Sequence, residues 1–259
     1  MIFLKLGGSL ITNKEQPLSA RLKTIERLAA EIAQFVSVMP DEQLLLGHGS
    51  GSFGHHVAAK YGTHQGAESS LDWRGFAEVW MAARRLNRML MDALHAAGVA
   101  AVCFPPSASV LCSEGEIESY AFDPVQRAME AGLVAVVYGD VAFDASQGAC
   151  IVSTERVFAA LALVLMPDRV LLAGADEGVY ADYPERSQLL DTLGEEDLDR
   201  IQLVGAETED VTGGMADKVY HAMALASLLP GSEVRIFSGS SGKVSAALKG
   251  EALGTLIKA

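Results

Sequence analysis

Five times along these 259 residues a glycine-rich turn follows a short apolar run or opens a helix, at residues 7–8, 47–54, 139, 213–214 and 239–242. The runs themselves, such as Ile2-Phe3-Leu4-Lys5-Leu6, Gln43-Leu44-Leu45-Leu46 and Leu133 to Tyr138, are apolar almost throughout instead of alternating. That pattern belongs to strands covered on both faces. Between the runs, apolar residues recur at helical spacing: Leu22, Ile25, Leu28, Ile32 and Phe35 behind a Ser19 cap, then Phe76, Val79, Trp80, Ala83, Leu86, Leu90 and Leu94 up to Gly98. Alternating strands and helices of this kind predict an α/β fold with a mostly parallel sheet sandwiched between helices. Ligands of such sheets gather at the carboxyl ends of strands, where these turns fall.

The densest turn is Gly47-His48-Gly49-Ser50-Gly51-Ser52-Phe53-Gly54-His55-His56. Four glycines in eight residues let the backbone adopt φ > 0 and aim several N–H groups at one point, which makes an anion-sized hollow. The two histidines at its exit supply further donors, so the stretch reads as a phosphate cradle. Gly49 to Gly54 also satisfies GxGxxG, but no strand separates it from Glu68 and Asp72, the acidic residues at the distance a dinucleotide ribose requires. Ser241-Gly242-Lys243-Val244 lacks the rest of a P-loop. The spacing of His48, His55, His56 and His64 matches no zinc-ligand pattern, and no protein-bound metal is expected.

Size suits one large α/β domain or two joined lobes, with a boundary near residue 150. A hairpin is expected between Val141 and Val152, followed by a helix capped by Ser153 or Thr154. The longest apolar run, Val157 to Met166, is too short for a membrane span and reads as a buried helix. Cys103, Cys112 and Cys150 show neither disulfide nor zinc spacing, and the start runs into glycines rather than a signal peptide, so a cytoplasmic protein is expected. A net charge of −13 opposes nucleic acid and anionic membranes, so an anionic substrate has to be captured locally. Two lysines stand out: Lys5, inside an apolar strand, and Lys218, one helical turn after Gly213-Gly214-Met215. A buried ammonium needs an anion beside it.

Lys5-Leu6-Gly7-Gly8-Ser9, Gly51-Ser52-Phe53-Gly54-His55, Gly139-Asp140-Val141, Gly178-Val179-Tyr180 and Val211-Thr212-Gly213-Gly214-Met215-Ala216-Asp217-Lys218 together resemble the amino acid kinase superfamily, and within it the branch that phosphorylates isopentenyl phosphate for isoprenoid synthesis. The resemblance spans nearly the whole chain. It implies a three-layer αβα sandwich around a mostly parallel open sheet, usually a homodimer, with residues 1–150 as the lobe for the phosphate acceptor and 151–259 as the lobe for ATP, sharing one continuous sheet. By motif position, Lys5, Gly8 and Lys14 would meet the transferring phosphoryl group. Lys218, with Gly213 and Gly214, would hold the ATP phosphates, which bring Mg2+ with them, and Asp176, Gly178 and Tyr180 would flank the nucleotide. Gly49, Ser50, Gly54, His55 and Gly139 would bind the acceptor's phosphate.

Two departures are notable. The superfamily's His-Gly-Gly-Gly reads His48-Gly49-Ser50-Gly51, and the helix opening that carries a lysine-orienting Asp reads Ser153-Thr154-Glu155-Arg156, which makes Glu155 the candidate for that role. Phe76 and Val79, with Trp80 and Ala83, would line a pocket for the acceptor's apolar tail or else form ordinary core. Two other functions share these motifs: a kinase acting on a phosphonate such as fosfomycin or on a carboxylate such as acetylglutamate, and a nucleotide-binding regulatory or storage protein without turnover.

Overall fold

The computed structural model describes residues 1–182, 185–200 and 215–259. Strand β1 (Ile2–Leu6) leads through a single turn, α1 (Gly8–Ile11), to helix α2 (Leu22–Val38) and strand β2 (Leu44–His48). Helix α3 (Gly51–Tyr61) and the long α4 (Ser70–Ala96) return the chain to β3 (Ala101–Cys103). Then come α5 (Pro106–Ser109), β4 (Val110–Ser113), β5 (Glu116–Tyr120), α6 (Asp123–Glu130), β6 (Val134–Tyr138), β7 (Asp140–Asp144) and β8 (Gly148–Val152). The last part holds α7 (Thr154–Leu165), β9 (Arg169–Gly174), β10 (Thr192–Leu193), α8 (Met215–Leu228), β11 (Glu233–Ser238), α9 (Lys243–Leu248) and β12 (Thr255–Ile257).

Eight strands form the main sheet in the order β10-β12-β11-β9-β1-β2-β6-β3, and every pair is parallel except β11 with β12. Its two faces carry separate cores. Phe3, Leu45, Val137, Val170 and Leu172 join Phe158 of α7 and Val219 and Ala222 of α8 on one side. On the other side, Ile2, Leu4, Leu6, Leu44 and Leu46 pack with Ile25 and Ile32 of α2, Leu86 and Leu90 of α4, and Val244 of α9. The period of two along β1 therefore puts Lys5 on the α7–α8 face with Phe3, while the same period along β2 puts His48 on the α4 face with Leu44 and Leu46. This is the expected αβα sandwich, built on one sheet that runs through both halves of the chain.

A second sheet, β5-β4-β7-β8, was not anticipated in full. The hairpin β7–β8 matches the expectation for 141–152, but β4 and β5 carried no clear signal, because β5 is a half-exposed edge strand of mixed composition. Residue 150, near which the sequence suggests a boundary between lobes, lies within β8.

Three local expectations are corrected. Helix α2 begins at Leu22 with no side-chain cap, and Ser19 instead meets Ser52, its N–H donating to the Ser52 hydroxyl at 3.4 Å. Helix α4 starts earlier than its apolar stripe, because Ser69 and Asp72 form a reciprocal capping box. The run to Met166 is not wholly buried: Leu163, Val164 and Met166 stand exposed at the end of α7. Among the described residues no helix is long and apolar enough to cross a membrane, and the three cysteines are free thiols.

Candidate active site

The site lies where β9, β1 and β2 end side by side. Lys5 is opposite Gly47 in the register of β1 and β2. A Cβ at Gly47 would stand 2.6–2.7 Å from the Phe158 ring and the Thr154 methyl, so only glycine lets the start of α7 come this close to the sheet. Ser153 caps that helix, accepting from the Arg156 N–H at 3.2 Å. The approach delivers Glu155 to Lys5, with Oε1 2.6 Å from Nζ and both side chains largely buried.

Burial pushes the Glu155 carboxyl up, but the charge and hydrogen bond of Lys5 outweigh it and hold Glu155 below the usual carboxylate range. From the other side α8 brings Lys218, which lines the same narrow cleft as Lys5, Gly7, Glu155 and Gly174. A Cβ at Gly174 would stand 3.5 Å from the Lys218 ammonium. Burial, then the neighbouring Lys5 ammonium and, more weakly, Lys14, push Lys218 below the ordinary lysine range, while Asp176 and Glu155 act against them. Three cations against two carboxylates, in a chain of net charge −13, make a local site for a polyanion. Lys14 reaches it from an exposed loop pinned at its base by the Thr12–Ala20 bridge. Asp176 pairs with Arg186 at 3.1 Å.

The glycine turns pack backbone against backbone beside this cleft. A Cβ at Gly8 would fall 2.6 Å from the Gly51 nitrogen, and one at Gly49 would fall 2.9 Å from the Gly8 nitrogen. Gly51 has φ +49° and begins α3. Thr12 ties the two turns together, donating to the Gly8 carbonyl at 2.7 Å and accepting from the Ser52 N–H at 3.1 Å. The cradle is thus shorter than its glycine content implies, since the chain is already helical from Gly51. His55 and His56 sit exposed on α3 rather than at a loop exit, and the Ser50 side chain lies against Gly54.

Gly139 follows β6 and donates to the His48 carbonyl at 3.2 Å. A Cβ there meets nothing nearer than 3.6 Å, so its glycine is not imposed by space. Phe76 and Val79 belong to neither main core. With Ala58, Ala67, Val141 and Ala149 they form a third cluster between α4 and the β7–β8 hairpin, and Phe76 stacks towards Phe143 and Trp73 at 4.9 and 5.7 Å. Gly178 is packed against Thr255, whose hydroxyl accepts from the Val179 N–H at 2.9 Å, and Tyr180 bridges to Leu189. Gly213 and Gly214 lie outside the described residues.

Sequence reasoning missed the polar groups behind the cradle. His48 is fully buried and stacks on Tyr138, with ring centroids 5.2 Å apart. Its Nε2 is 3.2 Å from Asn87 of α4, and Thr154 donates to its carbonyl at 2.7 Å. Asn87 carried a readable signal, a polar residue at a core position of the stripe between Ala83 and Leu90. Asp140 is buried too; Ser107 donates to its Oδ2 at 2.8 Å, while Oδ1 has no partner among the described residues. Burial, opposed by hydrogen bonds from Ser107 and Val141, pushes its carboxyl up to about 6.

A parallel sheet whose central strand ends carry Lys5 and interlocked glycine turns, with Glu155 and Lys218 brought to them by α7 and α8, defines a phosphoryl-transfer scaffold. The amino acid kinase family profile matches residues 1–238, and the chain belongs to that family. Within it, the chain is 37% identical to an isopentenyl phosphate kinase of Methanothermobacter thermautotrophicus, covering 97% of this chain and 96% of the relative. It is 36% identical to the isopentenyl phosphate kinase of Haloferax volcanii, over 100% and 98% of the two chains. A crystal structure of isopentenyl phosphate kinase superposes over the full length of both chains with a TM-score of 0.84 at 33% identity.

Proposed function

We propose that this protein transfers the γ-phosphoryl group of ATP to isopentenyl phosphate, giving isopentenyl diphosphate and ADP. The observation that carries the reading is the joint cleft of Lys5, Glu155 and Lys218 beside the Gly8–Gly49–Gly51 backbone contact, in a chain that matches isopentenyl phosphate kinases end to end. Two anions must be brought together against their own repulsion, so catalysis is charge neutralisation and positioning. Lys5, oriented by Glu155, and Lys218 stabilise the equatorial oxygens of the transferring group, and Lys14 closes over it from its loop. Mg2+, carried in on the ATP phosphates, supplies further charge neutralisation to them.

The acceptor needs no general base, because a phosphate monoester with a second pKa of about 6 is already largely dianionic at neutral pH. Its oxygen attacks the γ-phosphorus, the bond to the β,γ-bridging oxygen breaks, and ADP leaves. His55 acts as a donor that orients the acceptor phosphate on the Ser50 N–H, with Gly49, Gly54 and Gly139 packed closely around it. The apolar tail occupies the cluster of Phe76 and Val79, and Asp176, Gly178, Tyr180, Gly213 and Gly214 flank the nucleotide. The protein works as a cytoplasmic homodimer.

The test is ADP release with Mg-ATP and a panel of isopentenyl, dimethylallyl and geranyl phosphates, fosfomycin and acetylglutamate. Isopentenyl phosphate is expected to give the highest kcat/KM. Turnover confined to fosfomycin or acetylglutamate, or ATP binding with no transfer to any acceptor, would overturn the reading.

A further inference from the structure

We propose that His48 is the positioning residue of the phosphate cradle: its Nδ1–H holds the Gly49 carbonyl against the core and thereby turns the Ser50 N–H outward, to the acceptor phosphate. The inference rests on the phosphate-acceptor reading above and deepens it, since it says which group fixes the orientation of that subsite.

The geometry begins at the peptide joining Gly49 to Ser50. Its carbonyl oxygen is 3.1 Å from Nδ1 of His48. A carbonyl can only accept, so Nδ1 carries the proton. In a trans peptide the C=O and N–H point in opposite directions, so a carbonyl held inward sends the next N–H outward. That N–H belongs to Ser50, and it meets no acceptor among the described residues. The adjoining peptides are fixed independently. The Gly49 N–H donates to Leu6 at 3.0 Å, and the Ser50 carbonyl accepts from Phe53 and Gly54 at 3.1 and 3.3 Å. Both adjoining peptides have backbone partners, whereas the contact to the middle one is with a side chain.

The ring is built to do this in one tautomer. Both contacts of the imidazole, Gly49 O and Asn87 Oδ1, are oxygens, and a neutral imidazole has a single N–H. Burial, together with the Lys5 charge, holds His48 below the ordinary histidine range against the two hydrogen bonds, so the doubly protonated ring is disfavoured. The two ends of the Asn87 amide are isosteric, and turning it presents NH2 to Nε2. The Gly49 carbonyl thus selects the tautomer, Asn87 accommodates it, and stacking on Tyr138 fixes the ring plane.

The direct test is a long-range proton–nitrogen correlation spectrum of the full-length protein labelled in its imidazoles, with the His48 signals assigned by their loss in His48→Asn. The neutral Nδ1–H pattern is expected; an Nε2–H pattern overturns the proposal. The kinetic test uses the same variants. Asn places an amide nitrogen where Nδ1 stood, whereas Phe fills the volume without a donor. His48→Phe is expected to raise KM for isopentenyl phosphate at least tenfold with KM for ATP changed less than about threefold, and His48→Asn to stay within about fivefold of wild type. Equal losses in the two variants, or no loss in His48→Phe, would overturn it. If wild type releases no ADP with isopentenyl phosphate, the functional reading fails while the tautomer result stands by itself.

Discussion

The two sides of the site at the end of β1 and β2 are made of different material. On the α7–α8 side stand charged side chains, Lys5, Glu155 and Lys218, of which Lys5 and Glu155 pair at 2.6 Å. On the α3–α4 side they are backbone groups, held by glycines that touch one another and by a neutral, buried His48–Asn87 pair. A buried ion pair between well-packed elements does little for net stability but fixes where a charge stands. Backbone donors, in contrast, depend on which residues are absent: no Cβ fits at Gly8 or Gly49. Replacements on the first side should therefore strike the chemistry, and those on the second should strike the fold of the subsite.

The sharpest separation comes from Lys5→Ala. It is expected to lower kcat by about 10²–10³, roughly 3–4 kcal/mol of transition-state stabilisation, with KM for either substrate shifted far less. Steady-state kinetics check this, and turnover above about a tenth of wild type would remove Lys5 from its role. Glu155→Gln should cost about 3 kcal/mol of stability in the nucleotide-free protein by leaving the Lys5 charge buried without its partner. Mg-ATP should restore part of that loss, read as a larger rise in Tm on nucleotide addition than wild type shows.

On the backbone side, Gly8→Ala is expected to destabilise by about 1–3 kcal/mol, because its Cβ would collide with main chain that cannot rotate away. Gly139→Ala should stay within about 0.5 kcal/mol. Urea denaturation of both variants tests the contrast, and equal costs would mean that the glycine packing does not distinguish them.

The last effect, confined to high pH, concerns Asp140, at the flank of the cradle. Its carboxyl lies at about 6 against an ordinary 3.8, so the folded state binds the proton more tightly. Stability from this group is complete below about 4 and is lost as pH rises through 6. Asp140→Asn, which keeps the shape of the protonated acid, should then gain up to about 3 kcal/mol at pH 8 and nothing near pH 4, measured by denaturation at the two pH values.

The charged side of the site was readable because an ammonium inside an apolar strand has few explanations, and Lys5 stood out for that reason. Glu155 was readable only through the family resemblance, as the acidic residue at the helix opening where the superfamily carries an Asp. The backbone side was half visible. The glycines were plain, yet their number suggested a long loop where the structure has a helix from Gly51, since four glycines restrict packing as readily as they loosen a turn. The pairing of His48 with Asn87 was not legible, because the two come from elements 39 residues apart in sequence.

By itself the sequence determined the alternation of strands and helices, the face on which each strand residue points and the residue types able to bear charge, all of which follow from local periodicity and side-chain chemistry. Tertiary structure alone decided which of those residues meet. Lys5 finds Glu155 because Gly47 leaves room for α7, and His48 finds Gly49 and Asn87 because α4 covers the other face of the sheet. Contacts between elements far apart in the chain depend on how close two surfaces can pack, and no periodicity encodes that distance.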